Sequence, residues 1–313
     1  MTQIVEFARR AARLRATMFV ALATVFSACN ATDKLTNASD DPIDTPETPG
    51  APSDVSLAGS FRGGIPMGFF ALPTSQFGAE YNGAMRNIWP HALMRELSAI
   101  RGRGGKVVLM FAGNERHYKV GRSFSLTKWK ARVARFRHVN FSQYVNDGTI
   151  IAHYLIDEPN DAHNWGRAIS PATLEEMAKY SKSLWPNMPT VVRTEASYLA
   201  RGGRYNHLNA AWAQYVTRKG NPAEFIRRNV ADAQRAGLAL ITGLNVLQGG
   251  PNGSRMSATQ IKAAGSALLG STYPCAFISW RFESGYAASS TVRDAMRLLR
   301  SKAQSRPSKT CRG

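Results

Sequence analysis

Hydrophobic and polar positions alternate in blocks along most of the chain. From about residue 64, short and nearly continuous apolar runs are separated by longer segments in which apolar residues recur at helical spacing. Runs that are apolar at almost every position are typical of strands covered on both faces. Seven such runs predict seven buried strands, at 65–72, 106–112, 149–156, 190–195, 210–216, 238–247 and 275–282.

The intervening segments predict helices, over 83–101, 126–136, 171–184, 222–236, 257–269 and 291–301. Two of these begin with a capping residue and a proline, Ser170-Pro171 and Asn221-Pro222, and Gly237 is a typical helix stop. Strands that alternate with helices indicate parallel βαβ units and therefore an α/β protein.

Seven strands in about 250 residues predict a (β/α)8 TIM barrel, the size typical of that fold. We expect the eighth strand within 113–148 or near 56–61. A doubly wound open sheet is the alternative. Against it, residues 72–76 after the first predicted strand contain none of the glycines of a phosphate-binding loop.

The first 28 residues have the pattern of an export signal. Arginines at positions 9, 10, 13 and 15 precede an apolar run over 16–26, which is too short to span a bilayer as a helix. Phe26-Ser27-Ala28-Cys29 resembles the lipobox of bacterial lipoproteins, which implies cleavage before Cys29 and lipidation of that residue. We therefore expect an exported protein anchored to a membrane, in the periplasm or at the cell surface. An ordinary signal peptide with a chance cysteine is the alternative.

Charge divides the rest of the chain into two parts. Residues 29–57 are acidic and rich in Pro, Ser and Thr, which predicts a flexible tether, and 58–313 form the predicted barrel domain. The whole chain has a net charge of +19, whereas the part from residue 57 onward has +21. For an exported protein this favours an anionic polysaccharide or membrane surface over nucleic acid, for which no recognition motif is present. The alternative is that the positive charge only reflects an arginine-rich composition, since 29 of the 40 basic residues are arginine.

Chemistry in a TIM barrel belongs to the C-terminal strand ends and the loops that follow them. The third run ends in Asp157 and Glu158, and two carboxylates at a buried rim suit general acid catalysis. Arg193 and Glu195 end the fourth run, with Glu195 either a second carboxylate or the partner of Arg193. Further candidates at strand ends and loops are Glu283 for catalysis and Trp280, Asn114, Tyr198, Gln214, Tyr215, Asn245 and Gln248 for substrate binding.

The segment from Tyr154 to Pro159, with Asp157-Glu158 at its centre, resembles the acid/base strand of clan A TIM-barrel glycoside hydrolases. Trp280 in the last strand fits the same superfamily. The resemblance implies a carbohydrate substrate, hydrolysis of a glycosidic bond, no cofactor, and Glu158 as the proton donor to the leaving oxygen.

The sequence departs from that clan at two strands. Clan members carry Asn-Glu where this chain has Asp157-Glu158, and a nucleophilic Glu at the seventh strand, where this chain offers Asn245 and Gln248. The second carboxylate would then be Glu195, Glu283 or Asp157. If none of them serves, the protein is a non-catalytic carbohydrate-binding or cell-surface lipoprotein. Lyase or esterase chemistry is weaker, since no nucleophile elbow is present.

Histidine and cysteine positions argue against a metal. The six histidines show no zinc-binding spacing, and three cysteines are too few for a cysteine zinc site. Cys275 opens the last predicted strand at the bottom of the barrel, and the final helix runs back toward that end, near Cys311. In an exported protein this placement predicts a disulfide between them, with two free thiols as the alternative.

Overall fold

The computed structural model describes residues 63–312, so the predicted signal peptide, the lipidation site Cys29 and the whole predicted tether lie outside the described residues. Eight parallel strands close into a barrel, which confirms the predicted TIM barrel. The strands are β1 Met67–Phe70, β2 Gly83–Asn87, β3 Lys106–Met110, β6 Ile150–Asp157, β7 Thr190–Arg193, β8 Ala210–Tyr215, β9 Ala239–Leu244 and β10 Ala276–Ser279. Their order around the barrel is β1-β10-β9-β8-β7-β6-β3-β2. An antiparallel hairpin, β4 Lys119–Val120 and β5 Ser123–Phe124, lies outside the barrel sheet.

The helices surround the barrel, and most follow the predicted positions. They are α1 Pro90–Gly102, α2 Leu126–Ala134, α3 Ser142–Asn146, α4 Ala162–Trp165, α5 Pro171–Leu184, α6 Ala196–Leu199, α7 Pro222–Ala236, α8 Ala258–Gly270, α9 Ser284–Ala288 and α10 Ser290–Gln304. The predicted caps are confirmed: the Ser170 hydroxyl accepts from the Thr173 N–H, and the Asn221 side chain accepts from two N–H groups of α7.

The strand missing from the prediction is β2, and its predicted location was wrong. The sequence pattern assigned Gly83 to the start of a helix, whereas Gly83 pairs with Gly68 of β1 and Lys106 of β3. A Cβ atom on Gly83 would lie 2.7 Å from the Met67 backbone nitrogen, so glycine permits the close approach of β1 and β2. Residues 113–148, where a strand was expected, contain the hairpin and two helices instead.

Large side chains fill the barrel interior and the layer between strands and helices. Inside the barrel, Phe70 contacts the rings of Tyr154, Trp212 and Trp280. These rings form a solid floor beneath the C-terminal rim. A site at this end of the barrel must therefore lie on top of the floor rather than inside the strands.

The C-terminal tail is attached at the opposite end of the barrel. Cys275 and Cys311 form a disulfide with 5.3 Å between their Cα atoms, as predicted. The Arg306 guanidinium donates from Nη2 to the Pro274 carbonyl at 2.9 Å, so the tail is fixed at two points. Between residues 63 and 312, we find no helix whose length and apolar content would allow it to cross a membrane.

Candidate active site

A buried ion pair joins the ends of two neighbouring strands. Asp157 at the end of β6 and Arg193 at the end of β7 are register partners. Arg193 donates from Nε and Nη2 to the two carboxylate oxygens of Asp157, with 2.8 Å between Nη2 and Oδ2. Its remaining amine, Nη1, donates to the Gln214 side-chain oxygen on β8. Because Asp157 is only 6% exposed, its carboxylate accepts hydrogen bonds from Arg193 and is shielded from solvent.

Trp280 lies directly beneath this pair. The Arg193 guanidinium stands 4.9 Å from the centre of the indole, and Phe70 packs 4.3 Å away. At 2% exposure, the indole presents no open face on which a sugar ring could stack. Trp280 therefore supports Arg193 from below, and the aromatic face at the site belongs to a different residue, Tyr198.

Glu158 follows β6 in a backbone conformation rare for a residue with a side chain. Its φ is +36°, and its backbone N–H donates to the Arg193 carbonyl at 2.8 Å. Trp165 Nε1 donates to the carbonyl oxygens of both Asp157 and Glu158 at 3.1 Å. Left-handed conformations of this kind cost about 1–3 kcal/mol and cluster at functional sites. The turn aims Glu158 out of the barrel, beside Arg193.

The pKa of the Glu158 carboxyl is raised above its ordinary value. The Arg193 guanidinium, 3.7 Å from Oε1, is the strongest single influence and favours the charged form. Partial desolvation by the surrounding walls and the negative charge of Asp157 together outweigh it. The side chain remains 57% exposed, so the proton can be delivered to a ligand from solvent-accessible space.

Glu158 and Glu195 line one cavity at the C-terminal rim, with a volume of about 430 Å³. Glu195 Oε1 lies 2.8 Å from Lys219 Nζ, and this amine also donates to the Gln214 carbonyl at 3.1 Å. The lining also includes Arg193, Tyr198, Gln214 and Asn245, all sequence-predicted candidates. A cavity that holds two carboxylates beside guanidinium and ammonium groups is equipped for acid–base chemistry on a polar ligand.

Other predicted candidates have structural partners elsewhere. Glu283 caps α9, accepting from the N–H groups of Gly285 and Tyr286 at 3.1 Å, and pairs with Arg255 at 3.2 Å. Tyr215 faces the helical layer, where its hydroxyl donates to the Gly220 carbonyl at 2.6 Å. Neither residue lines the cavity.

Two further candidates stabilise loops. The Asn114 side chain accepts from the Arg116 N–H at 3.1 Å and caps a short 3-10 helix, Glu115–Tyr118. The Gln248 N–H donates to the Asn245 side-chain oxygen at 3.0 Å, so Gln248 positions a cavity residue without lining the cavity itself.

Several cavity residues were not singled out from the sequence. They are Asn160, Thr194, Arg201, Arg218 and Lys219, and all lie in loops or turns after strands. The only signal for them was the polar segment 217–220 that follows the fifth predicted strand. Loop conformation, rather than periodicity, brings them together.

A second polar cluster lies near the rim, outside the cavity lining. Glu115 accepts from Asn164 at 2.8 Å and from Lys119 at 3.3 Å. Burial raises the pKa of the Glu115 carboxyl, and the charge of Asp157 adds to the increase. Across residues 63–312, no group of three or more His, Cys, Asp or Glu side chains is arranged to hold a metal ion.

Comparison with known proteins identifies the fold. No protein-family model matches the sequence, and no curated protein matches it. Among solved structures, a glucosidase from Croceicoccus marinus superposes with a TM-score of 0.52 at 11% identity, covering 77% of this chain and 68% of the other. A GH2 beta-galacturonidase from Eisenbergiella tayi gives 0.51 at 11% identity, over 77% of this chain and 51% of the other.

The chain shares the TIM-barrel fold of these two structures. At 11% identity the similarity establishes architecture and leaves the activity to be argued from the site.

Proposed function

We propose that the protein hydrolyses glycosidic bonds in a polysaccharide, with Glu158 as general acid and Glu195 as the second carboxylate. The observation that carries the proposal is that both carboxylates line a single cavity at the catalytic end of a barrel. The pKa of the Glu158 carboxyl is also raised, which is the direction that favours the protonated form of a general acid.

Geometry favours Glu195 over the other two candidates for the second role. Asp157 is engaged by two donors of Arg193, and Glu283 is engaged by two backbone N–H groups and Arg255. Glu195 keeps one oxygen near Lys219 and lines the cavity beside Glu158. In the reaction, Glu158 gives its proton to the leaving oxygen, while Glu195 either attacks the anomeric carbon or takes a proton from water. The configuration of the first product, read by NMR, distinguishes retention from inversion.

The test is a screen of neutral and acidic polysaccharides with the wild type, Glu158→Gln and Glu195→Gln. Loss of general acid catalysis is expected to lower the rate by about 10²- to 10⁴-fold. Glu176→Gln is the matched control, because Glu176 is 53% exposed on α5 and pairs only with Lys179 in the described structure. Equal rates for the wild type and Glu158→Gln would contradict the proposal.

The alternative is a non-catalytic carbohydrate-binding protein. Asn245 favours it, because this residue follows β9, the seventh barrel strand, where the related clan carries its nucleophilic Glu. Under this alternative, polysaccharide binding is measurable, and neither the wild type nor the two carboxylate variants form product with any polymer of the screen.

We further propose that the protein is exported and anchored through a lipid on Cys29. The Cys275–Cys311 disulfide supports the export, because such bonds persist in oxidising compartments outside the cytoplasm. Cys29→Ser is expected to move the protein from the membrane fraction to the soluble fraction. Continued membrane association of that variant after a high-salt wash would contradict the lipid anchor.

A further inference from the structure

The charges that line the cavity do not balance. Arg193 is paired with Asp157 and, at 3.7 Å, with Glu158, and Lys219 is paired with Glu195. Two further arginines, Arg201 and Arg218, line the same cavity. Within residues 63–312, neither has a carboxylate within ion-pair distance, and both are exposed. The cavity therefore presents two guanidinium groups that form no ion pair with the described residues.

Both arginines project from short turns that follow adjacent strands. Arg201 lies in the 3-10 turn Ala200–Gly202 after β7, with its guanidinium 5.6 Å from the centre of the Tyr198 ring. The Tyr198 hydroxyl donates to the Ile169 carbonyl at 2.8 Å, which fixes the ring as part of the cavity wall. The wall thus combines an aromatic face with a cation, a pairing suited to a charged sugar ring.

Arg218 lies in the 3-10 turn Thr217–Lys219 after β8. This turn is held by three backbone hydrogen bonds, among them the Thr217 N–H to the Gly249 carbonyl at 2.8 Å. It ends at Gly220, whose φ of +81° suits glycine. Arg218 is consequently presented from a well-supported backbone.

A third donor lies on the cavity floor. The Gln214 side-chain oxygen is taken by Arg193, which leaves its amide nitrogen Nε2 as a donor. That nitrogen is buried and has no hydrogen-bond acceptor in the described part of the chain. A buried amide donor without an acceptor costs about 1–3 kcal/mol, and because this nitrogen has no accessible surface, a ligand oxygen would contact it only after the Gln214 side chain moved.

We propose that the cavity binds a carboxylated sugar, a hexuronate unit, through the guanidinium groups of Arg201 and Arg218. The proposal rests on the proposed function, because it names the substrate class for the same site. Guanidinium groups match the planar, two-oxygen geometry of a carboxylate, and a neutral sugar would leave both charges unpaired. The net charge of the sequence favoured an anionic partner without identifying it, and the two cavity arginines favour a carboxylated sugar.

Binding can be tested separately from turnover by using Glu158→Gln as the parent protein. The probes are oligosaccharides of polygalacturonate, alginate and hyaluronan, each paired with its carboxyl-reduced neutral form, and titration calorimetry gives the affinities. We expect at least one carboxylated probe to bind more tightly than its reduced form. Arg201→Gln and Arg218→Gln are each expected to weaken that binding about 10- to 100-fold, as for loss of a charge-assisted hydrogen bond.

Arg228→Gln is the matched control for general electrostatic attraction, because Arg228 is exposed on α7 and does not line the cavity. Equal losses in Arg218→Gln and Arg228→Gln, or equal binding of each carboxylated probe and its reduced form, would overturn the proposal. Arginine-dependent binding of dextran sulfate as strong as that of the carboxylated probes would also overturn the carboxylate assignment.

The two proposals fail in different ways. Turnover of neutral polymers without any preference for carboxylated ones would support the proposed hydrolysis and contradict the proposed hexuronate binding. Selective, arginine-dependent binding without turnover by the wild type would support hexuronate binding and contradict hydrolysis.

Discussion

Asp157 and Arg193 form a two-point ion pair that connects the ends of neighbouring barrel strands beneath the candidate active site. Through this pair, Arg193 is held 3.7 Å from the Glu158 carboxylate and 4.9 Å above Trp280. Asp157 therefore acts as a positioning residue: it fixes the guanidinium that faces the proposed proton donor. The neighbouring carboxylates that look equivalent in the sequence have different roles in the structure.

Replacement of Asp157 by Asn should destabilise the fold. Arg193 is 8% exposed, and the variant would leave its buried charge without its two-point counterion, with only the largely exposed Glu158 carboxylate at 3.7 Å. We expect the free energy of unfolding in urea to fall by about 3–5 kcal/mol. Asp294→Asn is the control, because Asp294 is 63% exposed in a surface pair with Arg297 and should change stability by less than about 1 kcal/mol. Similar losses for the two variants would show that the buried pair has no special role.

The pH dependence of hydrolysis should follow the protonation of Glu158. A general acid acts while protonated, so kcat/KM is expected to fall as pH rises through the raised pKa of Glu158. The charge of Lys219 lowers that pKa, and the charge of Asp157 raises it. Lys219→Gln should therefore move the alkaline limb to higher pH, and Asp157→Asn should move it to lower pH. Shifts of both variants in the same direction would exclude Glu158 as the titrating group.

The barrel was predictable from the sequence because most of its strands are apolar on both faces. Strand β2 was the exception, since Arg86 and Asn87 end it and two glycines make its closest contact with β1. Its pattern resembles the beginning of the helix that follows. Here a local sequence signal could not reveal a strand that is specified by close packing against its neighbours.

The site was predictable only where strand geometry decides it. Glu158, Arg193 and Gln214 are at strand ends, so their place on the rim follows from the fold. Glu283 looked equivalent, but the chain turns into α9 at that point and the carboxylate is used as a cap. Arg201 and Arg218 were missed because their positions depend on two short turns whose conformation comes from tertiary contacts.

Removal of the disulfide should destabilise the barrel. The bond joins residues separated by 36 positions, and the loss of this cross-link from the unfolded chain is expected to cost about 3–4 kcal/mol. The double variant Cys275→Ser, Cys311→Ser should show this loss in urea unfolding. Dithiothreitol should destabilise the wild type by a similar amount and leave the double variant unchanged. A wild type insensitive to the reductant, with the bond shown to be reduced, would contradict the expectation.

Burial of His153 in its neutral form should make the folded state less stable in mild acid than at neutral pH. His153 is fully buried beside Trp129, with Nδ1 2.8 Å from the Ser181 hydroxyl, and burial lowers its pKa from 6.5 to about 3. Above pH 6.5 the residue is neutral in both states, so its contribution to stability is fully present. As pH falls from 6.5 toward 3, the unfolded chain binds a proton that the folded chain does not, and stability decreases by roughly 1.4 kcal/mol per pH unit.

The measurement for His153 is urea unfolding at pH 7.5 and pH 5.0, for the wild type and His153→Asn. Asparagine retains a polar group near the position of Nδ1 but does not titrate, so other ionisable groups contribute equally to both proteins. We expect the wild type to lose about 2 kcal/mol more than the variant between these pH values, as follows from the 1.5 units below the ordinary pKa. The same pH dependence in both proteins would mean that His153 takes up its proton without unfolding, and that the space between β6 and the surrounding helices admits water.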